Sequence, residues 1–238
     1  MGRAGFDIVR STDNRGGVDD FIPFEATVRA ARAAGLSVGD YIDEVMNGTP
    51  GATRSTIDEL RGRGVYADGP RTLLEIGPGS GRYLEKTLQE CSPQRYEIYE
   101  TAAPWAGYLV ETFGVVARPT EGSSLAPTPD ASVDLVQAHK VFNTVTFLCA
   151  VRYFHEMARV VRPGGRIVFD VMTETCLDPA AVGTWVREGG SGHDSFPAAM
   201  PRAVCVDLFD SLGCTLESSF LAPLGVATTE VLVFARKP

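Results

Sequence analysis

Apolar residues recur along this chain first at helical spacing and then in an alternation of strand and helix spacing, and the switch falls near residue 70. Up to about residue 20 the text is polar and glycine-bearing with no apolar period, which predicts an arm without a core of its own. From Pro23, PFEATVRAARAAGL reads as an amphipathic helix closed by Gly35. SVGDYIDEVMN opens a second helix on Ser37, with Asp40 three residues on in the place of a capping box. A third is expected over TPGATRSTIDELRGRG, starting near Ser55. After Asp68-Gly69-Pro70 the pattern predicts strands at 71–77, 95–100, 115–119, 132–139, 165–172, 214–222 and 228–236. Helices are expected at 80–91, 103–113, 146–161 and 201–212. This alternation implies an α/β fold of Rossmann-like type, a doubly wound, mainly parallel sheet with helices on both faces. No helix separates the last two strands, so they form a hairpin and one of them runs antiparallel. The expected division is an N-terminal arm and helical lid over 1–68 and a ligand-binding α/β domain over 69–238.

Composition narrows the partners. A chain of 238 residues with 44% hydrophobic and 22% charged side chains suits one compact domain with a helical extension. Its net charge is -8 and it has no dense Lys/Arg cluster, so a phosphate-neutralising surface for nucleic acid is not indicated. The five cysteines (Cys91, Cys149, Cys176, Cys205, Cys214) show no C-x-x-C pair and no zinc spacing, as expected of a reduced, cytoplasmic chain. No run of about 18 apolar residues predicts a membrane span, and the start lacks the apolar core of a signal peptide. A small-molecule substrate is the expectation.

The chemistry is expected where strands end. LLEIGPGSGRYLEKTL reads as a buried strand, a glycine turn and an amphipathic helix, and Gly77, Gly79 and Gly81 let the backbone turn sharply and approach a ligand. A dinucleotide fingerprint would place a further glycine at 82, where Arg82 stands. Glu75, just before the turn, would repel a pyrophosphate but can hold an ammonium group. Glu100, followed by Thr101, closes the second strand where a carboxylate can accept from both hydroxyls of a ribose. That feature suits any nucleoside cofactor and does not choose between a dinucleotide and another.

Two further stretches carry a resemblance. EGSSL, at Glu121-Gly122-Ser123-Ser124-Leu125, follows the third strand, and RVVRPGGRIVFDVM joins a helix to the fifth strand through a proline-glycine turn. Together with the glycine loop and the closing hairpin, this order resembles class I S-adenosylmethionine-dependent methyltransferases. The resemblance covers roughly residues 70–238. It implies S-adenosylmethionine as cofactor, with the glycine loop as its floor, Glu75 near the methionine amine, and Glu100 with Thr101 at the ribose. Glu121 and Gly122 would lie at the adenine; the family commonly has Asp at the first of these, so Glu121 matches in charge and not in length. Gln137 and Ala138, at the end of the fourth strand, are expected beside the cofactor as well.

The sulfonium methyl of such a cofactor is already activated, so the protein has to align a nucleophile and, for a hydroxyl, remove its proton. His139 follows directly on the fourth strand and is the candidate general base. Asp170 and Glu174 are candidates to share a Mg²⁺ ion with it. YEIYETAAPWAGYL, VDLVQAHKVF and RYFHEMARVVRPGGRIVFDVMTE also resemble bacterial sugar and polysaccharide O-methyltransferases, those of methylmannose polysaccharide assembly being the nearest comparison. That resemblance implies a sugar acceptor, Mg²⁺, and a homodimer. An N-methyltransferase, an O-methyltransferase of a secondary metabolite, a cofactor-binding protein without catalysis and a nicotinamide dehydrogenase are the alternatives. Two insertions are expected to shape acceptor choice: the helices at 23–66, and residues 174–200 with Trp185, Arg187 and His193.

Overall fold

A computed structural model describes residues 22–188, 198–225 and 227–238. The arm expected over residues 1 to about 20, and His193, lie outside them. Seven strands form one sheet in the order β3-β2-β1-β4-β5-β7-β6. They are β1 (Thr72–Ile76), β2 (Arg95–Tyr99), β3 (Val116–Ala117), β4 (Val133–Ala138), β5 (Val161–Val171), β6 (Cys214–Leu224) and β7 (Ala227–Arg236). β1 to β5 pair in parallel, and β7 runs antiparallel to both β5 and β6. This is the Rossmann-like fold read from the sequence, with β7 as its antiparallel strand. β5 begins earlier than expected, at Val161 opposite Val133. Its register then shifts so that Arg166 faces Leu135, and the proline-glycine turn bulges out within the strand.

The helices are α1 (Phe24–Ala34), α2 (Val38–Tyr41), α3 (Ala52–Gly62), α4 (Arg82–Glu90), α5 (Ala103–Phe113), α6 (Phe147–Val160), α7 (Pro179–Glu188) and α8 (Arg202–Ser211). α1 stops at Gly35 as predicted. The Ser37 hydroxyl accepts from the Asp40 N–H at 3.0 Å, while the Asp40 carboxylate turns away and pairs with Lys86 on α4. The second helix continues from α2 into a π-helical turn over Ile42–Met46. α3 starts at Ala52, ahead of the expected Ser55, because its cap comes from elsewhere. The buried Asp43 carboxylate accepts from the N–H groups of Thr53 at 2.8 Å and Arg54 at 3.3 Å. A cap supplied from the preceding helix leaves no mark at the helix start itself. α7 lies inside the second insertion, where no helix was expected.

The sheet separates two cores. Under α6 and α8, Phe142, Phe154, Phe169, Phe209 and Phe234 form one aromatic cluster with ring centroids 4.4 to 5.8 Å apart. On the other face Ile57 and Leu60 of α3, Leu84 of α4 and Leu109 of α5 pack on Leu73, Ile98, Leu135 and Val168. Each such side chain contributes roughly 1.5 to 3 kcal/mol by leaving water. A third, smaller cluster joins α1 and α2 to α5 through Ala31, Val38, Ile42 and Trp105.

Candidate functional site

The glycine loop turns at the carboxyl end of β1 through three residues of positive φ, 58° at Gly77, 54° at Gly79 and 80° at Gly81. A Cβ on Gly81 would stand 2.3 Å from Leu109, so this glycine lets α4 close onto α5. One on Gly77 would stand 2.9 Å from Val141 of the loop after β4. At Gly79 the same position meets nothing within 4 Å, and the backbone there borders an open cleft. The cleft, about 780 Å³ counting the open space at its mouth, lies at the carboxyl ends of β1, β2 and β4, the place where open α/β sheets bind ligands.

Gly77, Gly79, Glu100, Thr101 and Gly122 line it, all five expected from the sequence. Glu100 ties the two walls together: one carboxylate oxygen accepts from the Gly79 N–H at 2.7 Å and the other from the Ala102 N–H at 2.8 Å. The loop at Gly122 is held from α6, where Glu156 accepts from the Leu125 N–H at 2.9 Å and Arg159 donates to the carbonyls of Leu125 and Thr128. Ile22, Ile76, Ser80, Tyr99, Ala102, Trp105, Lys140, Val141, Thr144, Val145 and Tyr153 also line the cleft. Sequence reasoning missed them. Tyr153 and Trp105 carry only the ordinary helical period of buried residues, and nothing local marks which buried aromatic faces a cleft. Lys140 stood beside a candidate residue and offered the one usable signal.

The remaining expected residues lie elsewhere. Gly81 sits at the start of α4, Ala138 is buried in the core under α6, and Glu121 is exposed outside the lining. Glu75 and Gln137 are registered neighbours on β1 and β4, and both point to the face under α4. There Tyr96 donates to Glu75, and Gln137 Nε2 donates to Glu75 at 3.1 Å and to Thr87 at 3.2 Å. Burial pushes the Glu75 carboxyl above its ordinary range, against the opposing pull of His139 and of the Tyr96 and Gln137 hydrogen bonds. Burial and the Glu75 charge together raise the Tyr96 phenol well above 10.

His139 continues this polar row. Its side chain is 1% exposed, its ring is stacked on Tyr83 with centroids 4.4 Å apart, and its Nδ1 lies 3.8 Å from Asp170. Among the described residues neither ring nitrogen finds a hydrogen-bond partner, and the ring is not part of the cleft lining. Asp170, at the end of β5, accepts from the Lys140 N–H at 2.7 Å and pairs with the Lys140 ammonium at 3.1 Å. Burial works to raise its carboxyl, but Lys140 and His139 hold it below the usual carboxylate range.

The expected Mg²⁺ site needs correction. Asp170 is already matched by a lysine that a cation would have to displace, and Glu174 is exposed and accepts from the Arg202 N–H at 2.9 Å at the start of α8. Among the described residues no group of three His, Cys, Asp or Glu side chains is placed to hold a metal ion. These residues do not fit the ion. No described helix is long and apolar enough to cross a membrane.

Residues 74–169, from β1 to β5, match the protein family described as "Methyltransferase domain". No curated protein matches the sequence. Among solved structures, magnesium protoporphyrin IX methyltransferase from Synechocystis PCC 6803, with bound S-adenosylhomocysteine, is 13% identical with a TM-score of 0.61. That match covers 78% of this chain and 84% of the other. The N-methyltransferase NodS from Bradyrhizobium japonicum WM9, in complex with S-adenosylhomocysteine, is 13% identical over 90% of this chain and 98% of that one, TM-score 0.60. The 1,6-didemethyltoxoflavin-N1-methyltransferase from Burkholderia thailandensis is 16% identical over 90% and 89%, TM-score 0.58. The fold is that of the class I methyltransferases, and the glycine loop lies within the residues that match the methyltransferase domain family.

Proposed function

We propose that the protein transfers a methyl group from S-adenosylmethionine to a small-molecule acceptor, and that the cleft between the glycine loop, Glu100 and Tyr153 holds the cofactor. The observation that carries this reading is Gly79: its backbone borders the cleft with open space where a side chain would stand, and its N–H is fixed by Glu100. Gly77, Gly79 and Gly122 would lie against the cofactor, Glu100 and Thr101 would orient its ribose, and Glu75 with Gln137 would set the charge beneath the loop. When bound, the cofactor supplies a methyl already activated on a sulfonium. What is left to the protein is alignment and exclusion of water, which Trp105, Val141 and Tyr153 serve by walling the cleft. Ile22 lines the cleft and its carbonyl accepts from the Trp105 indole at 2.9 Å, so the helices over 22–62 are proposed as a lid on the domain at 69–238.

For the acceptor, a sugar hydroxyl with His139 as general base is the reading drawn from sequence resemblance, together with a homodimeric, cytoplasmic enzyme. The enclosure of both His139 nitrogens favours a second reading, an amine acceptor that needs little help from a base. Replacing His139 separates them: with a hydroxyl acceptor as substrate, His139→Ala should lower kcat about 100-fold or more, and with an amine it should keep most of it. The parent proposal is tested by methyl transfer from radiolabelled S-adenosylmethionine to a panel of sugars, amines and phenols, alongside thermal shifts. Stabilisation by S-adenosylhomocysteine and a labelled product are expected. Stabilisation by NAD and not by S-adenosylhomocysteine would overturn it.

A further inference from the structure

We propose that Asp170 is a positioning residue for the cofactor cleft, acting through the backbone of Lys140 and the side chain of Val141 on the glycine loop at Gly77. The inference rests on the reading of the cleft as a cofactor site. Lys140 has φ of 60°, and Ala131 is the only other described non-glycine residue with a positive φ. A side chain in this region is strained and persists only where its surroundings over-determine it. Asp170 supplies that constraint twice. Its Oδ1 accepts from the Lys140 N–H at 2.7 Å, and its Oδ2 stands 3.1 Å from the Lys140 ammonium, which also donates to Thr229.

The next residue carries the effect into the cleft. Val141 approaches the loop so closely that a Cβ on Gly77 would lie 2.9 Å from its Cγ2, and both residues line the cleft. The Val141 carbonyl is held in turn by Thr144, whose N–H donates at 3.0 Å and whose hydroxyl donates at 2.7 Å. The left-handed turn at Lys140 thus sets where Val141 presses, and Val141 bounds the room the glycine loop has. Ion pairing alone would explain the lysine side chain. It would not explain why one oxygen of the same buried carboxylate is spent on the backbone of a strained residue.

Three paired variants separate the backbone clamp from the charge. Asp170→Asn/Lys140→Met removes both charges and keeps an acceptor oxygen for the residue-140 N–H. Asp170→Leu/Lys140→Met removes the acceptor as well, and Asp170→Leu/Lys140→Gly adds a residue that adopts positive φ unaided. Hydrogen exchange of segments 76–82 and 140–146 is followed in the ligand-free proteins, and S-adenosylhomocysteine affinity is measured beside it. Relative to the Asn/Met variant, the Leu/Met variant should exchange faster in both segments and bind about tenfold more weakly, the size of the left-handed preference. The Leu/Gly variant should recover most of both losses. Asp170→Ser/Lys140→Met, whose side chain is too short to reach, reports the same loss should the leucine variants not fold. Unchanged exchange at 76–82 when the acceptor is removed overturns the proposal whether or not any ligand binds. Exchange that responds as stated, in a protein that does not bind S-adenosylhomocysteine, upholds the clamp and sinks the cofactor reading.

Discussion

The two faces of the sheet are built from the same strands by alternation, yet along β1, β4 and β5 one face presents hydrocarbon alone and the other carries a row of buried polar groups. Under α6 and α8 the strands present Ile76, Val136, Ala138, Ile167, Phe169 and Phe234. Under α3 and α4, residues of the same strands are Glu75, Gln137 and Asp170, joined by Tyr96 and by His139 just past β4. Burying such groups is unfavourable unless each finds a partner, and several do not: Gln137 Oε1 and both His139 nitrogens have none among the described residues. Both faces bury an apolar core, so what sets the second apart is the polar row and not a lack of hydrocarbon. The polar row lies beneath the glycine loop of the proposed cofactor cleft, and unpartnered buried groups of this kind are expected next to a site that handles charge.

The largest effect that sharpens this contrast is on the apolar face. Phe169 is fully buried and its ring lies 4.7 Å from Phe154 and 5.3 Å from Phe209. Phe169→Ala should cost about 3 to 5 kcal/mol in urea unfolding while leaving the S-adenosylhomocysteine affinity of the folded protein little changed. A large loss of affinity without loss of stability would dissolve the division between the faces.

Glu75 should behave in the opposite way. Its carboxyl is raised by burial, so the folded protein holds this proton more tightly than the unfolded chain. The stability it contributes is full below the unfolded value near 4.5 and is lost as pH rises through the higher folded value. Glu75→Gln, which has no such proton, should gain stability over the parent as pH rises from 4 to 7 and lose about tenfold in S-adenosylhomocysteine affinity. Asp170 carries the reverse sign. Its carboxyl is held low by Lys140 and His139 against burial, so its contribution is present above the unfolded value and is lost on acidification. Parallel pH titrations of Glu75→Gln and Asp170→Asn should therefore diverge, and curves of the same slope would show that one of these two environments is misread.

Much of this was legible in the sequence because it is periodic. Each of the seven strands overlaps a stretch expected from the sequence, with β5 starting four residues early and β3 shorter than expected, and the missing helix before β7 was enough to require an antiparallel strand. The glycine loop, Glu100 and Gly122 were legible because a turn at a strand end has local chemistry. What the sequence did not disclose depends on partners far along the chain. The start of α3 is set by Asp43, the direction of Asp40 by Lys86, and the employment of Asp170 by a lysine on another strand's loop. His139 illustrates the limit most sharply. Its place after β4 was read correctly, but alternation alone did not say that its ring would stack on Tyr83 with Val141, two residues on, taking the cleft wall.

The smallest effect tests whether the polar face is a network or a set of separate bonds. Gln137 Nε2 carries two hydrogens and faces three acceptors, Glu75 at 3.1 Å, Tyr96 at 2.9 Å and Thr87 at 3.2 Å. Thr87→Val keeps the shape and removes the longest of the three contacts, leaving two acceptors for two hydrogens. No donor on Gln137 is then orphaned, so the cost should fall at or below about 1 kcal/mol, smaller than for a bond whose loss strands its partner. If the three contacts polarise one another, the same substitution should also move the Glu75 titration, since Gln137 is one of the groups that hold that carboxyl down. A loss of several kcal/mol with an unchanged Glu75 titration would mean that Thr87 anchors α4 by packing and that the row beneath the glycine loop is held together pair by pair.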